Sequence, residues 1–208
     1  MTEHAIDTAL DCSNHPKEII VVETCPEDKC PKYERATKTI YPNIEFNYNK
    51  FLNLAVKQAK GKYLAFCNND LSFGKNWDVI LINEMKKNNI QSASPFSFIK
   101  CGHKSPYNSD SGNVEGYKIG FEFLGWCYVM TRELYDRLGS FDETYKFWRS
   151  DFVVTEQLKK INVPHYLICS SDVVHKESGS QTLKSLSKDL QTELTHGQIE
   201  LYKKNNNL

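Results

Sequence analysis

The chemistry of this chain is concentrated where apolar runs give way abruptly to oxygen-bearing side chains. In Tyr63-Leu-Ala-Phe-Cys-Asn-Asn-Asp70 a buried strand runs straight into Asn68, Asn69 and Asp70. In open parallel sheets ligands bind beyond the carboxyl ends of the strands, so Asp70 projects where a ligand would sit. A hard cation such as Mn²⁺ or Mg²⁺ takes one or two carboxylates together with substrate phosphates, which is the chemistry this tripeptide offers. Alone it would read as a turn that ends a strand. Glu23 closes an earlier apolar run, Glu18-Ile-Ile-Val-Val-Glu23, and could meet a ribose by the same logic. Asp151 precedes Phe152-Val-Val, where a carboxylate would also cap a helix. Lys50 and Arg149 are candidate phosphate contacts, and His175 follows Val173-Val174 as a candidate ligand.

These side chains need elements to position them. Ala5, Ile6, Ala9 and Leu10 share one face of a helix over 2–12. Short apolar strands are expected over 18–23 and 37–41. A helix over 49–60, with Leu52, Ala55, Val56 and Ala59 on its inner face and Gly61 closing it, leads to a strand over 62–67. Another helix follows over 76–88, then a strand over 90–98. Further on come a strand over 121–131, a helix over 133–138, a helix over 152–161 and a strand over 165–168. A polar, helix-prone tail occupies 184–208. The strand–helix–strand rhythm predicts an α/β domain with a mostly parallel central sheet and helices on both faces. The stretch 101–120 is polar, long for a structureless loop, and a candidate acceptor lid.

Composition narrows the classes. The 208 residues suit one domain, with 1–100 and 101–183 as its two halves. Lys plus Arg and Asp plus Glu number 26 each, so no global charge draws the chain to nucleic acid or anionic membrane. No apolar run approaches the ~20 residues of a membrane span, and the first residues lack the features of a signal peptide. An intracellular, cytoplasmic protein is expected. The odd count of seven cysteines agrees with buried free thiols, and the Cys25–Cys30 spacing is not that of a zinc or redox C-x-x-C.

Several separated stretches resemble family 2 glycosyltransferases of the Rossmann-like GT-A fold. Asn47 to Asn53, Ala59-Lys-Gly-Lys-Tyr63 and Phe66-Cys-Asn-Asn-Asp70 match the family's Asn, helix, Ala-x-Gly-x-Tyr, strand and Asp/Asn-x-Asp series. Gly125-Trp-Cys-Tyr-Val-Met-Thr-Arg-Glu133, Leu138-Gly-Ser-Phe-Asp-Glu143 and Phe147-Trp-Arg-Ser-Asp151 look like its acceptor half. The resemblance implies an inverting, metal-dependent transfer from a nucleotide-sugar, UDP-linked by preference, to a hydroxyl. It implies Asp151 as catalytic base, since one carboxylate must take the acceptor's proton. Glu23, Lys50, Asn53, Asn68, Asn69 and Asp70 would meet the donor. Gly125, Trp126, Trp148 and Arg149 would meet the acceptor. Asp70 and His175 would hold Mn²⁺ or Mg²⁺. The acceptor class stays open between saccharide, lipid-linked, protein and modified-base hydroxyls, with Lys100 to Lys104 and Lys203-Lys204 as cations a base in DNA would need. Self-association also stays open.

The chain departs from the family at several points. Asn68 replaces the usual Asp, Ser150 the usual Glu, and Val153 a frequent further acid. The family's opening strand has no counterpart ahead of Thr2. Its absence would leave two strands with unpaired backbone groups, unless another segment or chain supplies it. A binding relative without turnover therefore competes with an enzyme. A nucleotidyltransferase is disfavoured because no Gly-rich phosphate loop is visible.

Overall fold

A computed structural model describes residues 1–97, 105–176, 183–184 and 187–206. The central sheet runs in the order β3 (Tyr63–Cys67), β7 (Cys127–Thr131), β5 (Ser92–Ser97), β8 (Tyr166–His175), β4 (Leu71–Phe73), with β6 (Asn113–Glu115) also paired to β8. β1 (Ile20–Val22) and β2 (Lys38–Ile40) form a separate parallel pair.

Strand alternation divides the core into two layers, as a period of two requires. Leu64 and Phe66 of β3 and Tyr128 and Met130 of β7 face one side. There they meet Val56 of α2 (Tyr48–Gln58), Leu134 and Tyr135 of α4 (Arg132–Leu138), and Val154 and Leu158 of α5 (Ser150–Lys160). Cys127 and Val129 face the other side and meet Trp77, Leu81 and Met85 of α3 (Trp77–Lys87). Helix α1 (Thr2–Asp11) lies along β4, where Phe73 N donates to Thr8 Oγ1 at 3.3 Å. Helices thus cover both faces, as the rhythm of the sequence predicts.

The pairing corrects the parallel reading. Within the central sheet only β5–β8 is parallel among the described strands; the other pairings are antiparallel. β7 enters between β3 and β5 from a connection that carries no helix over its described residues 105–126, so it arrives running backwards. Strand β8 is also longer than the predicted 165–168. Its register with β5 breaks between Pro95 and Phe96, where Pro95 pairs with Ile168 and Phe96 with Asp172. Proline has no N–H to give the ladder and is tolerated at such irregularities. The bulge lets β8 pair with β6 before it and with β4 after it, which carries His175 to Leu71.

Other expectations change. Helix α2 ends at Gln58, with Ala59 rather than Gly61 as its C-cap. The predicted strand over 121–131 begins only at Cys127, and residues 121–126 form a turn instead. The stretch 105–120 is not a structureless lid. It contains β6, Tyr117 donates to Val163 O at 2.8 Å, and Lys118 N and the Tyr107 hydroxyl both donate to the buried Glu122 carboxylate. Residues 101–104 of that stretch, and the basic segment 100–104, lie outside the described residues. So does most of the loop after Lys176.

The cysteines divide. Cys25 and Cys30 are bonded, with Cα atoms 6.0 Å apart, in a half-exposed loop after β1. A loop position, away from the apolar core, is what frees this pair from the buried-thiol expectation. Cys12, Cys67, Cys127 and Cys169 remain free.

Candidate active site

Asp70 sits at the junction of β3 and β4. Its Oδ2 lies 3.1 Å from His175 Nε2, with side chains 14% and 8% exposed. Its Oδ1 is buried with no hydrogen-bond partner among the described residues. A buried carboxylate oxygen without a donor is costly, so the position suits a cation. The His175 ring stacks on Trp126, centroids 5.0 Å apart and planes 9° from parallel. Asn68 is tied into the same group: its N donates to Trp126 O at 2.9 Å, and its Oδ1 accepts from Tyr48 at 3.0 Å. Asn69 is exposed and donates to Thr2 Oγ1 at 3.1 Å.

Asp151 occupies the first turn of α5 and accepts from Phe152 N at 2.9 Å. Burial raises its pKa; the backbone N–H groups and Arg149 oppose the shift without cancelling it. The carboxylate lies directly against Gly125, where an added Cβ would stand 2.8 Å from Asp151 Cβ. Gly125 and Trp126 thus link the two acidic positions in one run of contacts: Asp70 to His175, His175 to Trp126, Gly125 to Asp151. The turn that holds them is fixed from below. Leu124 N donates to Ser94 Oγ at 3.1 Å, and Ser94 and Ser92 each bond a ring nitrogen of buried His165.

Tyr48 is the residue that sequence reasoning missed. Its pKa is raised first by burial, then by the nearby charges of Cys67, Asp151, Cys127 and Asp70. It is thus near both acidic positions while hydrogen-bonded to Asn68. Its backbone N donates to Lys146 O at 2.6 Å, which joins α2 to the segment leading to Asp151. An aromatic residue opening an amphipathic helix carries no signal beyond packing.

The remaining predicted residues divide. Asn53 is buried and fully engaged: it donates to Phe141 O and Glu143 Oε1 and accepts from Tyr135 Oη and Phe141 N. With Asn47 and Asn49, which reach Glu143 O and Asp142 O, it fastens α2 to the turn at 141–143. Its amide has no capacity left for a donor, which corrects its assignment. Glu23 follows β1 and accepts from Tyr33 at 2.7 Å. Lys50 is half-buried on the first turn of α2. Trp148 is 45% exposed. Arg149 adopts a left-handed backbone (φ 73°) immediately before α5.

Glu23 Oε atoms and the sulfurs of Cys25 and Cys30 lie close enough together to suggest a soft-metal site. The two sulfurs are bonded to each other, however, and offer no thiolate. A concavity of about 740 Å³ lined by Lys60, Lys62, Arg132 and Arg137 opens at the opposite end of β3 from Asp70. Arg132 there spends its guanidinium on Gly61 O and Ala59 O, so size does not make this concavity the site. Among the described residues no helix is long and apolar enough to cross a membrane.

Comparison with known proteins bears on the family and the fold. The chain is 23% identical over 159 residues to the O-antigen biosynthesis protein RfbC of Myxococcus xanthus, covering 65% of this chain and 12% of that protein. The chain thus spans a small part of that relative's length. It is similar in fold to the crystal structure of GalNAc-T7 with UDP, GalNAc and Mn²⁺, at a TM-score of 0.60 and 14% identity. That likeness covers 80% of this chain and 40% of the other. Residues 1–167 match the family described as Glycosyl transferase family 2, and with that share matched the chain belongs to it, as a glycosyltransferase of the GT-A fold.

Proposed function

We propose that the chain moves a sugar from a UDP-sugar to an acceptor hydroxyl with inversion at the anomeric carbon, with Asp151 as base. The supporting observation is the continuous path from Asp70 through His175, Trp126 and Gly125 to Asp151. It sets a metal-type carboxylate and a buried carboxylate of raised pKa against one turn.

Asp70 and His175 would hold Mn²⁺ or Mg²⁺, with Asn68 beside them. The orphaned Asp70 Oδ1 and the oxygen-rich donor set fit a hard cation. Such an ion supplies positive charge where the leaving diphosphate gathers negative charge. Asp151 accepts the acceptor's hydroxyl proton. That oxygen bonds to the anomeric carbon as the bond from this carbon to the diphosphate oxygen breaks, and the nucleoside diphosphate leaves. A raised pKa brings the base nearer to the proton affinity the step requires. Glu23 is a ribose contact, and Trp126, Trp148 and Arg149 line the acceptor side. The relative named for O-antigen biosynthesis supports a saccharide acceptor.

One observation favours a second reading, a relative that binds without turnover: the pair β1–β2, which Glu23 directly follows, shares no strand pairing with the central sheet among the described residues. A single experiment separates the two. Thermal shift and calorimetry with a panel of nucleotide sugars, with and without Mn²⁺, identify the donor, and hydrolysis of that donor is then followed. Turnover that falls by about 10²-fold or more in Asp70→Ala and Asp151→Asn supports transfer. Full activity in either variant refutes these roles, and tight binding with no hydrolysis selects the second reading.

A further inference from the structure

The family match ends at residue 167. Beyond it, α6 (Lys188–Thr192), a π-helical turn (Glu193–Gly197) and α7 (Gln198–Asn205) pack on the segment that delivers Asp151. Trp148 N donates to Leu194 O at 3.2 Å, and Lys146 N to Gln198 Oε1 at 2.7 Å. Asn205 Nδ2 donates to Tyr145 Oη at 3.1 Å. The Tyr202 ring lies 5.8 Å from that of Tyr145 and 6.0 Å from that of Phe152. Leu194 and Gln198 are 1% and 6% exposed, so this is a packed junction. π-turns are rare and collect at functional sites.

What the junction holds is unusual. Arg149 is left-handed, a conformation that a non-glycine residue keeps only when its surroundings over-determine it. Its guanidinium carbon lies 4.2 Å from the Phe152 ring centre and 5.7 Å from that of Tyr202. Arg149 is also the N-cap of α5 and makes no side-chain cap bond. The Arg149 side chain therefore does not itself cap the first turn that carries Asp151. The bonds and rings on either side of Arg149 add to what holds it, and several of them come from the tail.

We infer that residues 188–205 are a positioning element of the active site: Gln198 and Tyr202 hold 145–149 in the conformation that presses Asp151 against Gly125. The inference rests on Asp151 acting as base, as proposed above, for its catalytic consequence, and on geometry alone for its structural one.

The test compares the full chain with Gln198→Ala, Tyr202→Ala, their double variant and Tyr202→Phe. Amide hydrogen exchange of 145–152 should quicken by about 10-fold or more in the double variant, while 63–67 stays protected. Hydrolysis of the donor should lose roughly 10- to 100-fold in kcat, with its KM within about 2-fold. Tyr202→Phe, which keeps the ring, should restore both. Unchanged exchange over 145–152 overturns the clamp, as does faster exchange with kcat intact. If the double variant unfolds by circular dichroism, the single variants carry the same two criteria. If the wild-type chain shows no turnover, the transferase reading fails and the exchange result still decides whether the tail fixes the segment.

Discussion

Gly125→Ala probes the contact on which the proposed chemistry turns. An added methyl carbon at 125 would stand 2.8 Å from Asp151 Cβ and 3.0 Å from Oδ2. Carbon atoms rest about 3.5–4.0 Å apart, so one partner must give by roughly 0.7 Å or more. The turn has little room to yield, because Leu124 is fixed to Ser94 and Trp126 is stacked on His175. Asp151 is the softer side and should move. A displacement of that size at a base costs on the order of 10- to 100-fold in turnover. Binding of UDP with Mn²⁺ should change little, because Asp70 and His175 meet each other and Trp126, whereas the intruding methyl meets Asp151. Hydrolysis kinetics of the identified donor, paired with calorimetry of UDP and Mn²⁺, measure the two effects separately. In an Asp151→Asn background the same change should cost little more, since the residue it displaces no longer works. Wild-type turnover in Gly125→Ala would refute the reasoning, and so would full additivity of the two substitutions.

Asp151→Asn should abolish turnover yet stabilise the fold at neutral pH. A carboxyl whose folded pKa is raised by burial favours folding while protonated, and that contribution is lost as pH rises through the folded value. The neutral amide escapes the loss; urea midpoints that drop at pH 7 but not at pH 3 would contradict this. His165 is pushed down to about 3 by burial, so it is neutral when folded, and its contribution is fully present above its ordinary value near 6.5. Stability should therefore fall by roughly 2–3 kcal/mol from this group between pH 6.5 and 4.5, and the loss should be absent in His165→Gln. Reduction of Cys25–Cys30 should lower stability by about 2 kcal/mol, the chain-entropy value for so short a loop. Alkylation of the denatured chain should label two further thiols after reduction, and equal labelling before and after would exclude the bond.

Much of this was legible in the sequence for a physical reason. The helices α1, α2, α3 and α5 carry apolar residues at helical spacing long enough to be counted, and β3 is an unbroken apolar run. What the pattern leaves unread are two of the four three-residue strands. β4 and β6 each have that length, too short for alternation to register. The strand predicted over 165–168 stops at the irregularity, whereas Cys169, Ser170 and Ser171 form the bulge between the Pro95 and Phe96 pairings and β8 continues beyond it. Asn53 shows the limit for side chains. An Asn on a helix ahead of a ligand-bearing strand looks like a donor contact, and only the fold reveals that Phe141, Glu143 and Tyr135 exhaust its amide.

The bulge also explains why the site assembles from positions so distant in the chain. His175 can meet Asp70 only if β8 reaches past its pairing with β6 and lies beside β4. That requires the ladder with β5 to slip, and Pro95 marks the place where no N–H is available to resist it. β4 is then more than a short extension of the sheet. Residues 68–70 turn the chain from β3 at one edge of the central sheet to β4 at the other, so Asp70 is held between two paired strands. A carboxylate fixed in this way is ordered before any ligand arrives. For a site that must grip a diphosphate, such ordering lowers the entropy lost on binding.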